Sequence, residues 1–172
     1  MTNPSKFLAI IIILLTVCLC IPVRAQPPQK FSFGLNGGIA NNRYDSYAIG
    51  GDMRFLFNVS KRLSIPLTVG YTSIKEKSSV NRFGVKRKGD VHDYFPIKLG
   101  VKAFVSEKGF GFYGLLEVGI TGVGAVGGSL RIPNVISPAV GYGWNNRVDL
   151  AVKYEDYGFD LGFTGLRLGY WF

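Results

Sequence analysis

His92 is the only histidine of the chain; it lies between Asp90 and Asp93, with Ser78 and Ser79 a little upstream. A hydroxyl nucleophile, an imidazole base and a carboxylate to orient it are the parts of acyl-transfer chemistry. No nucleophile motif surrounds either serine, so composition permits this chemistry without pointing to it. Metal chemistry has even less to work with: one histidine, and two cysteines, Cys18 and Cys20, both near the N-terminus. The Gly-rich run 122–128 lacks the strand–turn–helix setting that a phosphate or dinucleotide loop requires. The residues therefore imply no cofactor and no metal.

A second group carries charge in a regular pattern. Asp52, Arg54, Lys98, Lys102, Glu117, Asp149, Lys153, Glu155 and Arg167 each stand inside an otherwise apolar segment, on its alternate positions. In 95–105, for example, Phe95, Ile97, Leu99, Val101, Ala103 and Val105 alternate with Pro96, Lys98, Gly100, Lys102 and Phe104. A strand sends successive side chains to opposite faces, so such a segment has one greasy face and one face bearing charge. The charges number four acids and five bases, close to balance.

Eight segments of this kind must position them. Period-two alternation predicts strands over 31–39, 52–59, 63–72, 95–105, 112–121, 136–144, 148–155 and 162–172. Short polar or Gly-containing connections follow the second, fourth and sixth, where Asn145-Asn146 is a tight hairpin signal. The stretch 75–93 loses alternation and is the longest predicted loop, with Lys75, Lys77, Arg82, Lys86, Arg87 and Lys88 against Glu76, Asp90 and Asp93. Long and short connections thus alternate along the chain. Tyr44, Tyr71, Phe95 and Tyr154 fall near one set of strand ends, and Phe31, Tyr142, Trp144, Tyr170 and Phe172 near the other.

Residues 1–25 read as a secretory signal peptide: Lys6 precedes an apolar run, and Val23-Arg24-Ala25 offers the small residues a signal peptidase needs, with cleavage before Gln26. Both cysteines lie inside it, so residues 26–172 would form one domain without thiol or disulfide. The formal charge of +9 would fall by two with the loss of Lys6 and Arg24. No basic stripe with interleaved aromatics supports nucleic-acid binding, and anionic lipid or lipopolysaccharide is the expected counter-charge. After the signal, no apolar run is long enough for a helical span, so a membrane crossing would require a closed barrel. A soluble barrel with its apolar face inside would give the same alternation.

The closing segment ends with Leu166, Leu168, Tyr170 and the terminal Phe172 on one face. With Phe95-Pro96-Ile97-Lys98-Leu99-Gly100 and Gly111-Phe112-Tyr113-Gly114, it resembles the small outer-membrane β-barrels of the OmpA/OmpX type. More narrowly, it is similar to the porin-like "outer membrane protein beta-barrel domain" proteins of Bacteroidetes. The resemblance spans roughly 27–172 and implies an all-β, eight-stranded antiparallel up-and-down transmembrane β-barrel in the outer membrane of a Gram-negative bacterium. It implies that Leu166, Leu168, Tyr170 and Phe172 form the signal read by the barrel-assembly machinery. With the apolar faces turned to lipid, the nine charges line the lumen, as a salt-bridged plug, a narrow polar path or a binding site. Placed outside the cell, Arg82, Lys86, Arg87 and Lys88 would meet lipopolysaccharide phosphates. The expected role is structural or interactive and non-enzymatic; a narrow porin is the alternative, and a lipid A-modifying barrel enzyme the third.

Overall fold

Segments that alternate greasy with small or polar residues, rich in β-branched and aromatic side chains, have no helical face to bury and pair instead as strands. The computed structural model describes residues 30–41, 46–75, 79–80, 86–87, 91–124, 133–144, 147–158 and 162–172. The barrel strands are β1 (Lys30–Ala40), β2 (Ser46–Asn58), β3 (Leu63–Lys75), β4 (Val91–Phe104), β5 (Gly111–Gly124), β6 (Asn134–Trp144), β7 (Val148–Asp156) and β8 (Gly162–Trp171). Each pairs antiparallel with its neighbour in sequence, and β8 returns to β1 to close the ring. Ser32 faces Trp171 and Ala40 faces Phe163 across that seam. The Phe172 N–H donates to the Phe31 carbonyl at 2.9 Å, extending the seam to the terminal residue. A closed ring leaves no strand edge unpaired.

Several strands exceed the alternating segments. β2 begins at Ser46, not at 52, because Gly50 and Gly51 interrupt the apolar count without interrupting the ladder. β4 begins at Val91, which moves His92 and Asp93 out of the expected 75–93 loop and into a strand. β5 runs on to Gly124 and β6 starts at Asn134, so both ends of the expected 122–134 connection are strand. The physical reason is common to all. Ladder hydrogen bonds need only a partner backbone, and Lys75 faces Val91 while Asp93 faces Gly124. Ser79–Val80 and Lys86–Arg87 pair as a separate two-stranded ribbon between β3 and β4. The signal-peptide residues, Tyr44 and the Asn145-Asn146 hairpin lie outside the described residues.

The two surfaces of the sheet are chemically opposite. Phe33, Leu35, Ile97, Leu99, Val118 and Leu168 project outward and are about half exposed or more. The ring's interior holds the charged side chains. A surface this continuously apolar is not stable against water and matches a lipid-facing barrel wall. It also removes the soluble alternative, which required the reverse orientation. Outward aromatics gather at the end bearing the short turns, where Phe31 stacks on Phe172 and Tyr142 packs between Phe112 and Trp144. At the opposite end, an apolar plug of Ala40, Ala48, Ile74, Tyr94, Val135, Tyr157 and Phe163 fills the interior. The Tyr94 and Tyr157 rings stack there at 4.3 Å.

The outward orientation has a measurable consequence. Leu99→Lys, halfway along β4 on the outer face, should destabilise the vesicle-embedded barrel by about 2–4 kcal/mol in urea titrations. Little or no loss would mean that this face does not meet hydrocarbon.

Candidate functional site

All nine charged side chains project into the barrel and are buried, Glu117, Asp149, Glu155 and Arg167 completely. Taken in spatial order, they form one chain of alternating sign. Lys153 of β7 donates to Glu155 at 2.6 Å, and Lys98 of β4 donates to the other oxygen of Glu155 at 2.9 Å. Lys98 also lies 3.7 Å from Glu117 of β5, which accepts from Arg54 of β2 at 3.0 Å. Arg54 in turn reaches Asp52 at 3.9 Å. Asp52 is gripped by Arg167 of β8, whose Nη2 and Nε donate to Oδ1 at 2.6 and 2.9 Å. The remaining guanidinium nitrogen, Nη1, donates to Asp149 of β7 at 2.7 Å. Asp149 then accepts from Lys102 at 3.3 Å, which ends the chain.

Such a chain solves the problem that buried charge creates. Each carboxylate sits between two cations, and each interior cation between two carboxylates, so no ion is left uncompensated in a low-dielectric space. The two terminal lysines have one carboxylate each. Aromatic faces supply part of what is missing: Lys153 Nζ lies 5.0 Å from the Phe163 ring centre, and Lys102 Nζ lies 3.7 Å from that of Tyr113. Neutral donors complete the carboxylates. The Thr68 hydroxyl donates to Glu117, Asn36 Nδ2 to Asp52 at 2.9 Å, and the Trp171 indole to Asp149 at 3.1 Å.

Arg167 is the junction, and the sequence makes room for it. It touches Asp52, Asp149 and Ser32 at once, with its guanidinium laid across the floor formed by Gly34 and Gly169. A Cβ at either glycine would overlap that guanidinium. The aromatic and glycine partners were absent from the sequence-level set of lumen residues. Their signal is present, since Phe104 shares a strand face with Lys98 and Lys102, Tyr113 with Glu117, and Trp171 with Arg167. An aromatic on a charged strand face is a cue for a cation partner.

The other candidates do not converge. His92 and Asp93 are consecutive residues of β4 and so project to opposite faces, which prevents Asp93 from orienting the imidazole. Asp93 accepts instead from the Tyr71 hydroxyl at 2.8 Å. Ser78 and Asp90 lie outside the described residues, as does the side chain of Ser79. Arg82 and Lys88 are outside them too, with the side chains of Lys86 and Arg87. Leu166, Leu168, Tyr170 and Phe172 all face outward along β8 and its end. Chemically, the interior can hold charge in place.

No family model matches the chain, and no curated protein is similar to it. Solved structures are. The outer membrane protein Ail of Yersinia pestis in a phospholipid nanodisc is 13% identical, with a TM-score of 0.57 over 84% of this chain and all of that one. A de novo designed transmembrane β-barrel gives 14% identity and a TM-score of 0.55 over 86% of this chain and 98% of the design. Neisserial surface protein A gives 13% and 0.54 over the same shares. The likeness is one of fold: an eight-stranded outer-membrane-type barrel.

The chain of charges is testable by cutting it. Glu117→Gln leaves Arg54 and Lys98 under-compensated and should cost about 3 kcal/mol in unfolding titrations. Combining it with Arg54→Met removes a balanced link, so the double variant should lose less than the two single variants together; a loss equal to their sum would show that the two side chains are not coupled. Gly169→Ala should destabilise the barrel by about 1–3 kcal/mol through the displaced Arg167.

Proposed function

We propose that this protein is a closed, non-enzymatic β-barrel of the Gram-negative outer membrane with a structural or interaction role in the envelope. The observation that carries the reading is the sealed interior inside an apolar wall. Arg54, Arg167, Glu117 and Glu155 are at most 1% exposed, and the Ile74 and Phe163 plug above them is fully buried. Ions locked pairwise across the lumen leave nothing mobile to carry a solute, which supports a watertight post over a porin.

The remaining parts of the reading rest on sequence. Residues 1–25 direct export, and the outward-facing Leu166, Leu168, Tyr170 and Phe172 engage the barrel-assembly machinery. Short turns and chain ends then face the periplasm, and the connection carrying Arg82, Lys86, Arg87 and Lys88 faces outward to lipopolysaccharide phosphates. Interaction with the cell's surroundings would fall to the outer connections, because the wall is committed to lipid and that end of the lumen is closed by apolar side chains.

Two measurements on the native protein test this. In the outer-membrane fraction it should migrate differently on a gel before and after boiling, as folded barrels resist detergent. In planar bilayers the purified barrel should show no steady conductance. A soluble periplasmic protein without a heat-dependent shift would sink the membrane reading. Reproducible ohmic channels would replace the structural role with a narrow porin.

A further inference from the structure

The charge chain ends at Lys102, and what lies beyond that lysine is a cavity. About 530 Å³ opens along the barrel axis at the end with the short turns. Lys102 is on its floor and Lys30, Lys61 and Lys108 are on its walls. Among the described residues, the only acid lining it is Glu107, which is already paired with Arg62 at 2.7 Å. That pair, together with the Phe104 N–H donated to the Arg62 carbonyl at 2.8 Å, ties the β2–β3 turn to the end of β4. The tie holds Lys61 and Lys108 at the mouth. The rings of Phe104, Phe110 and Trp171 give the remaining lining a flat apolar part, beside the polar Asn58, Ser60 and Ser64.

The balance of charge in the interior gives the cavity its sign. Five cations face four carboxylates across the chain, and the excess falls at the chain's ends. At this end, Asp149 already receives Arg167 at 2.7 Å, the Trp171 indole at 3.1 Å and the Tyr113 hydroxyl at 3.3 Å. Lys102 has Asp149 as its one hydrogen-bond acceptor among the described residues, at a long 3.3 Å, although an ammonium carries three donors. Its other neighbours, the rings of Phe104, Tyr113 and Trp171, accept no conventional hydrogen bond. A buried, under-compensated cation beneath three rim lysines focuses positive potential into a space with low-dielectric walls.

We propose that this vestibule is a binding site for a small water-soluble organic anion, with its phosphate, sulfate or carboxylate oxygens on Lys102 and a flat apolar body against Phe104, Phe110 and Trp171. The volume lies in the range of small-molecule sites. The opening runs along the axis, inside the ring of strands, so a ligand arrives from the aqueous side and not from the bilayer. The anion would also supply the Lys102 end of the chain with the second partner that each interior cation has.

The test uses the full barrel in a neutral maltoside micelle, with phenyl phosphate as probe and the Trp171 indole N–H as the NMR reporter. Phenyl phosphate should shift that resonance saturably and leave Trp144, on the outer surface, unmoved. Lys102→Met keeps the apolar stem and should weaken binding about ten-fold or more, in line with the loss of a charge-assisted hydrogen bond. Lys61→Gln with Lys108→Gln, both exposed and outside the lumen, cannot unfold the barrel and should weaken it a few-fold. Absence of a saturable shift, or unchanged affinity in the rim double variant, would overturn the assignment. Benzyl alcohol binding as well as phenyl phosphate would reduce the site to an apolar cavity. Inorganic phosphate binding as tightly as phenyl phosphate would remove the role of the aromatic wall. A shift with micelle-borne dodecyl phosphate alone would make it a lipid-headgroup contact.

Discussion

The middle of this barrel is arranged around the need to neutralise nine buried charges. An isolated ion there costs several kcal/mol, and a pair with imperfect geometry recovers only part of it. The protein answers with a single alternating file from Lys153 to Lys102 that crosses between strands at nearly every step. Because successive links come from β7, β4, β5, β2 and β8, the file also fixes how those strands face one another. A register slip of one residue in any of them would turn its charge to the lipid face and leave its partners alone.

The file in turn dictates the small residues. Arg167 reaches two carboxylates and a serine only because Gly34 and Gly169 leave its guanidinium the space to lie flat. Gly141 of β6 does the same for the ring of Tyr113, its cross-strand neighbour on β5. Glycine in a strand interior weakens the strand by itself. Here it is matched by the large side chain that covers it.

Above and below the charges the chemistry changes. The plug around Tyr94, Tyr157 and Phe163 shuts one end with apolar surface, and the other end opens into a basic cavity. The polarity of the two ends therefore differs as much as that of the two faces of the wall. The wall itself needs no specific contacts, since hydrocarbon accepts any outward side chain that carries no charge.

The alternation alone determined the number of barrel strands and which face of each carries charge, because a period of two leaves a side chain only two directions; their antiparallel order was implied by the resemblance to outer-membrane barrels. Lys98 and Lys102 on the face opposite Leu99 and Val101 were legible without any fold. Strand ends were not: Gly50, His92 and Gly124 continue ladders whose partners are far away in sequence, and backbone pairing ignores the apolar count. Nor does the alternation by itself choose between a greasy inside and a greasy outside. Closure of the ring decided that, together with which acid meets which base. Asp52 and Arg167 are 115 residues apart, and only the β8–β1 seam brings them within hydrogen-bond reach. Direction is a local property of the backbone, whereas partnership depends on how the ring closes.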